Sequence, residues 1–471
     1  MQKSTYLILA AAGLISFNTL AQDIKPTSEK GLQESIEKHK SMLTASPLKE
    51  FKARNVGPTN MSGRIVDIEV ANNQNTFYVA AASGGVWKTE DNGQSFTPIF
   101  DHQGALGMGA IELSPSDNNV LWVGTGEDNS SRSTYAGSGV YKSTDGGKSW
   151  EHMGLIHSQH IGQILIHPTN PNVVWVGSMG GLYSKNKERG IFKTTDGGKT
   201  WKKVLYIDDN TGIIDMQLHP TNPDILLAAS WERFRQAHDF IGNGKGSAIW
   251  RSEDGGNTWK KAVEGFPQDE FVGRIGFDFS KSNPNVVYAL LDNQGKSDKP
   301  APEPRRRGNQ QQEENPLKLE DFKEMILDQA LALEDKRLET FLRRNQFSTK
   351  YTPTELKRQL KTGKITTNQI ANYLGGAVDA NAAMFGAPIK GAEVYRSDDS
   401  GKTWKLVSES DIRQLYNTYG YYFGEIRVST SDENEVFVLG VPLMVSRDGG
   451  KNFAPTDSIG DPHSDHQSMW I

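Results

Sequence analysis

Acid–base chemistry needs carboxylates, imidazoles or cations held close together, and this sequence offers them in a few places. Glu127-Asp128 is a pair of adjacent carboxylates, and Glu425 is a third acidic candidate inside a Gly-Glu-Ile triad. One carboxyl acting as acid and another as base on either side of a sugar linkage is the machinery of glycoside hydrolysis. Arg64, Arg233 and Arg274 are cations suited to gripping an anionic group. His157, His160, Asp208, Asp209, Trp231, Glu232, Tyr419, Tyr421 and Tyr422 complete the set. Such groups converging on a pocket suit a sugar and a peptide terminus equally well. His463-Ser-Asp465-His466 contains metal-ligand types but no third ligand at a useful spacing, so neither a metal nor a cofactor is expected. The 471 residues include no cysteine, which excludes thiol nucleophiles, disulfide frameworks and all-cysteine metal sites.

What must position these residues is a repeat. An octapeptide, Ser/Thr-x-Asp-x-Gly-x-x-aromatic, occurs six times, with its aspartates at Asp91, Asp145, Asp196, Asp254, Asp399 and Asp448. The period is about fifty residues, broken by one long interval between Asp254 and Asp399. In phase with it run Gly63-Arg64-Ile65, Gly109-Ala110-Ile111, Gly162-Gln163-Ile164, Gly212-Ile213-Ile214, Gly273-Arg274-Ile275 and Gly424-Glu425-Ile426. Between these markers lie Asn/Pro turns followed by apolar runs such as 173–176. Each unit therefore reads as four short strands: A at Gly-x-Ile, B after the turn, C ending at the octapeptide and D starting at its aromatic. That is a propeller blade. The spacing predicts an all-β propeller of four-stranded blades, six recognisable and one partial, with an α-helical insertion.

The six aspartates have a structural reading. An Asp in a tight C-to-D turn accepts backbone N–H groups, and glycine supplies the backbone angles such a turn requires. The closing Trp or Phe buries a ring between sheets. The elaborated segments, 126–138, 178–189, 231–247 and 293–390, are all B-to-C connections, on the face away from the boxes. Binding tends to reside in such loops. At the channel mouth, from strand A, D-to-A and B-to-C positions, the candidate ligand-binding residues are Arg64, His160, Asp208, Trp231, Arg233 and Arg274, with Glu127, Asp128 and Glu425 as catalytic candidates.

The octapeptides are those called Asp-boxes or BNR repeats, found in sialidases, xyloglucan-cleaving enzymes and sortilin-type receptors. Gly190-Ile-Phe-Lys-Thr-Thr-Asp-Gly-Gly-Lys-Thr-Trp201 and Arg54-Asn-Val-Gly-Pro-Thr-Asn-Met-Ser-Gly-Arg-Ile65 resemble bacterial exported proteins with a sortilin-type (Vps10-like) propeller, often labelled glycosyl hydrolases. The resemblance implies architecture first and function second. Xyloglucan-cleaving enzymes look similar around Gly84-Gly85-Val-Trp87-Lys88, where they carry a catalytic Asp two residues before the first Gly; Ala82 stands here. The resemblance to sialidases implies an arginine clamp that Arg64, Arg233 and Arg274 could form, but the arginine that opens a sialidase domain is missing.

Residues 1–21 read as a signal peptide: a basic start at Lys3, an apolar run over 6–17 and small residues up to Ala21. A helical segment is expected over 22–50 and the propeller over 51–471. Residues 295–387 are expected to be an insertion, solvated over 295–315 and helical from Pro316, with a second helix from Pro353 and a third carrying Ile370, Tyr373 and Leu374. The ending of the chain in what reads as a new strand A leads to the expectation of a propeller incomplete at its C-terminus. The net charge of −5, with basic residues dispersed, argues against nucleic acid. The expected protein is exported, periplasmic or extracellular, has no membrane span once mature, and binds a peptide, protein or glycan on its loop-rich face without catalysis. A glycoside hydrolase at the channel mouth is the alternative.

Overall fold

The turn that repeats is built from side-chain hydrogen bonds. In the first box the Thr89 hydroxyl donates to Asp91 Oδ1 (2.8 Å) and accepts the Gly93 N–H (2.9 Å). Asp91 in turn accepts the Ser95 N–H (2.9 Å) and hydroxyl (2.6 Å). The same pattern recurs at Asp145, Asp196, Asp254 and Asp399, and at Asp448 with Asn452 in the last position. The Ser95 hydroxyl, then its N–H and the Thr89 hydroxyl, hold the Asp91 carboxyl down at about 2. Gly198, the second glycine of the third box, shows why the residue is small. Its φ is +96°, and a Cβ there would meet the Trp122 ring at 2.5 Å.

These turns connect six four-stranded antiparallel sheets in the computed structural model, which describes residues 27–51, 63–131, 134–236, 239–297, 317–319, 321–344, 347, 351–371, 389–416, 419–456 and 465–471. Blade one is β1 (Ile65–Val70), β2 (Phe77–Ala81), β3 (Gly85–Thr89) and β4 (Thr97–Pro98). Blade two is β5 (Met108–Leu113), β6 (Leu121–Thr125), β7 (Val140–Ser143) and β8 (Glu151–His152). Blade three is β9 (Ile161–Ile166), β10 (Val174–Ser178), β11 (Gly190–Thr194) and β12 (Lys202–Leu205). Blade four is β13 (Thr211–Leu218), β14 (Leu226–Glu232), β17 (Ala248–Ser252) and β18 (Lys260–Lys261), with the two-stranded ribbon β15 (Phe234–Arg235) and β16 (Phe240–Ile241) in its B-to-C loop. Blade five is β19 (Val272–Phe279), β20 (Val287–Lys296), β21 (Ile389–Ser397) and β22 (Lys405–Leu406). Blade six is β23 (Glu425–Val428), β24 (Val436–Leu439), β25 (Leu443–Ser446) and β26 (Ala454–Pro455). The fold is the all-β propeller of four-stranded blades that the spacing predicts, carrying a few helices.

The chain divides into two compact units. The first comprises residues 1–230, 250–260 and 467–470; the second comprises 231–249, 261–466 and 471. In the first, apolar faces of successive blades meet in continuous cores, such as Tyr78, Val86 and Phe100 with Ile111, Leu121 and Val123. Box tryptophans stitch the blades: the Trp150 indole donates to Ile99 O (2.8 Å) and the Trp201 indole to Met153 O (2.7 Å). A second repeated device has no counterpart in the sequence pattern. The cation just before the box on strand C lies over a ring on strand B: Lys88 over Tyr78 (5.7 Å), Lys142 over Trp122 (5.4 Å) and Lys193 over Trp175 (5.4 Å). In the second unit Arg396 does the same over Tyr288 (5.4 Å).

Carboxylates also tie the inner strands. Asp67 accepts the Ile111 N–H (2.9 Å) in the first unit, and Asp278 accepts that of Val428 (2.8 Å) in the second.

The second unit also holds the helical insertion, with α2 (Asp321–Glu324), α3 (Leu327–Ala332), α4 (Asp335–Arg344), α5 (Pro353–Lys361) and α6 (Thr367–Ala371). Thr352 caps α5 by accepting the Glu355 N–H (3.2 Å), with Pro353 in the first turn. Phe322, Leu338, Phe341, Leu356, Leu360 and Ile370 form a core drawn from the insertion alone. Ahead of the first blade, α1 (Glu29–Ala45) has no buried residue. The signal peptide, Pro316, Tyr373, Leu374 and His463 lie outside the described residues. Among the described residues no helix is long and apolar enough to cross a membrane.

Candidate functional site

In the first unit the residues picked out by sequence converge on Glu127. β6 ends at Thr125, and the chain turns at Gly126, whose N–H donates to Gly107 O (2.6 Å). A Cβ on Gly126 would overlap Gln159 O at 1.7 Å, so the turn admits only glycine, and Glu127 is pressed inward. Its side chain is fully buried. Arg64 and the Asn129 amide both donate to Glu127 Oε1. Asn129 is itself held by the Thr134 hydroxyl (2.6 Å) and the Ser131 N–H (2.9 Å) on its Oδ1. His160, also buried, has Nδ1 2.7 Å from Glu127 O and so fixes the backbone of the turn.

Glu127 Oε2 has no hydrogen-bond partner among the described residues. Burial pushes the Glu127 carboxyl up, the Arg64 cation pulls it back, and the balance lies at about 7. A carboxyl that keeps its proton near neutrality is a proton donor. Asp128, next in the chain, is half-buried, and its charge adds to the rise.

Three other carboxyls, buried Asp292 and half-buried Glu112 and Asp278, are raised, and each has an engaged oxygen. Burial raises Glu112, helped by Glu69 and Asp67, while it accepts the Ile166 backbone N–H. Asp278, pushed up by burial to about 6, accepts Val428 N–H. Asp292, pushed by burial to about 7, takes the Gln294 amide on both oxygens (2.8 and 2.7 Å).

In the second unit Trp231, Arg233 and Arg274 come together, with Arg233 and Arg274 5.6 and 5.8 Å from the Trp231 ring centroid. All three are buried, and the Trp231 indole donates to Gly242 O (2.7 Å). Arg235 forms a similar stack with Phe240 (5.1 Å) and Tyr421 (5.8 Å). Glu425 pairs with Arg427 (2.6 Å). Asp208, in blade three, accepts the Asn210 N–H (2.7 Å) and lies near Arg189. Sequence reasoning missed Arg189, Asn129 and Asp292. Asp292 left a signal, a lone acid ending the apolar run 286–291; Arg189 and Asn129 left none.

Ala82 is buried, so the carboxylate that the xyloglucanase resemblance implies at that position has no replacement there. Among the described residues, no group of three or more His, Asp or Glu side chains is arranged to hold a metal.

The profile of the Sortilin-Vps10 family (sortilin, neurotensin receptor 3) matches residues 138–324. Among curated proteins, the xyloglucanase Xgh74A of Acetivibrio thermocellus is 26% identical over 215 residues, 41% of this chain and 24% of that protein. A xyloglucanase of Paenibacillus sp is 23% identical over 251 residues, 48% of this chain and 23% of that one. The chain thus spans about a quarter of the length of these relatives. Among solved structures, the Niastella koreensis GH74 enzyme has a TM-score of 0.47 at 16% identity, covering 82% of this chain and 45% of that one. YCF48 bound to D1 peptide has a TM-score of 0.43 at 12% identity, covering 84% and 83%. The resemblance to a sortilin-type propeller often labelled glycosyl hydrolase therefore stands, but the expectation of a non-catalytic binding protein does not. The curated relatives are xyloglucanases, and they back the hydrolase alternative.

Proposed function

We propose that the chain carries a glycoside hydrolase site centred on Glu127, acting on a β-linked glucan of the xyloglucan type. The observation that carries the reading is Glu127 itself, a buried carboxyl protonated up to about pH 7, with Oε1 anchored and Oε2 unengaged. Arg64 and Asn129 fix Oε1, which leaves the proton on Oε2. From there it passes to the glycosidic oxygen as the bond from that oxygen to the anomeric carbon breaks. Asp128 takes a proton from the water that attacks the same carbon, and solvent restores both carboxyl groups. The similarity to xyloglucanases supports the substrate class. The leader-like residues 1–21 support action outside the cytoplasm.

The test is reducing-end release from xyloglucan and from unsubstituted β-glucans by the purified chain, with E127Q and D128N beside it. E127Q is expected to lower kcat by about 10²- to 10⁴-fold, the usual weight of a general acid, with KM little changed. Turnover by E127Q at the wild-type rate, or no turnover of any glucan by the wild type, refutes the assignment.

A further inference from the structure

We infer a calcium site in blade three, between the loop joining β10 to β11 and the loop joining β12 to β13. The inference is independent of the hydrolase reading. The two loops are knotted together: the Asn186 N–H donates to Asp209 O (3.1 Å), and Arg189 Nη1 donates to Asn210 O (2.9 Å). Arg189 Nη2 donates to Gly181 O (2.6 Å) and Ser184 O (3.3 Å), so both terminal nitrogens of the guanidinium are engaged by backbone carbonyls.

Around this knot three oxygens are closed off from solvent without a hydrogen-bond partner: Asn186 Oδ1, Asn210 Oδ1 and Thr211 Oγ1. Thr211 is wholly buried, and it lies directly after Asn210, whose carbonyl Arg189 holds. Gly180 keeps space beside Asn186: a Cβ there would stand 2.4 Å from Asn186 Oδ1. Asp208 and Asp209 both interact electrostatically with Arg189, and the Lys203 ammonium, which reaches Lys187 O, completes the charges at the knot.

The chemistry of the missing partner follows from that count. A buried oxygen with unused lone pairs is destabilising unless something accepts them. Three such oxygens stand against two similarly placed donors, Arg189 Nε–H and the O–H of Thr211 itself, so the loops have lone pairs in excess. A water or a saccharide hydroxyl donates to one or two of these oxygens; a cation takes lone pairs from all three at once. Amide, hydroxyl and carboxylate oxygens are hard ligands that select calcium or magnesium over zinc or copper. Ligands from irregular loops favour calcium, which tolerates uneven shells, over magnesium, which demands a near-ideal octahedron.

The experiment uses the full chain after chelator treatment, titrated calorimetrically with CaCl2, MgCl2 or glucose and followed in parallel by thermal unfolding. One calcium per chain is expected, with Kd in the range of about 10⁻⁴ to 10⁻³ M found for extracellular modules, and a Tm that rises with calcium. N186A and N210A should abolish both effects. T211V, which keeps the side-chain shape, should weaken binding in a chain that still folds if the asparagine variants do not. No calcium binding by the wild type, undiminished binding by all three variants, or preference for magnesium overturns the assignment. So does a glucose-dependent rise in Tm that requires Asn186, which would make the knot a sugar pocket.

Discussion

Replacing Glu127 by Gln removes one titration from the folded protein, and the consequence for stability can be worked out. The ordinary glutamate value is 4.5, and in the folded chain it lies at about 7. Between those pH values the folded state binds more protons than the unfolded state, so stability falls as pH rises. The contribution is fully present below 4.5 and lost as pH passes through 7. The interval corresponds to about 3 kcal/mol at 1.36 kcal/mol per pH unit. Glutamine has no proton to lose, so E127Q should not pay this cost at alkaline pH. Arg64, which keeps 23% of its side chain exposed, falls back on solvent in the variant. Urea unfolding of both proteins at pH 5 and pH 8 gives four free energies, and groups common to both chains cancel in the double difference. The wild type is expected to lose about 2.5 kcal/mol more than E127Q between the two pH values. Parallel losses would mean that Glu127 ionises at an ordinary pH, and the acid role would fall with its physical basis.

The Asp-boxes predict the opposite slope at low pH. Asp91, Asp145, Asp196, Asp254 and Asp448 are held at about 2, below the unfolded value, so their stabilisation is present above about pH 4 and lost as pH falls toward 2. Tryptophan fluorescence should report cooperative acid unfolding in that window, and D196N should flatten the limb. W201F keeps most of the ring but strands Met153 O, which now accepts the indole at 2.7 Å; a loss of about 1–3 kcal/mol in urea unfolding is expected. F341A removes the ring packed 4.9 Å from Phe322 and 5.7 Å from Phe347, at about 3–5 kcal/mol to the insertion. Helical circular dichroism should fall, while tryptophan fluorescence, whose ten reporters all lie outside residues 317–371, should keep its melting profile.

The propeller was legible because its signals are local. An Asp bonded to a hydroxyl two residues before it and an N–H four residues after it is written in one octapeptide, and the period of the octapeptide counts the blades. The lysines over strand-B rings were not legible, because Lys142 reaches Trp122 only once strand register sets which residues share a face. The same distinction runs through the site. Arg64, Glu127 and His160 are all recognisable as candidates, but the pairing of Arg64 with Glu127 spans 63 residues and two blades. Arg189 looked like an ordinary cation before a glycine; its burial depends on Gly181, Ser184 and Asn210 offering carbonyls from two loops.

The expectation of a non-catalytic protein rested on Ala82, where the related enzymes carry an acid, and the weakness of that step is physical. A general acid is defined by an environment that holds its proton near neutrality and by an oxygen free to deliver it. Position in a motif is only a usual way of obtaining both. Burial alone does not suffice, since Glu112, Asp278 and Asp292 are all raised by it. Asp278 spends an oxygen on a neighbouring strand and Asp292 both oxygens on Gln294, as structural groups do. Glu127 differs from them in that its two oxygens are unequal. Arg64 and Asn129 take Oε1, while Oε2 has no hydrogen-bond partner among the described residues. That inequality is the ground on which Glu127 is proposed as the proton donor and the other raised carboxyls are not.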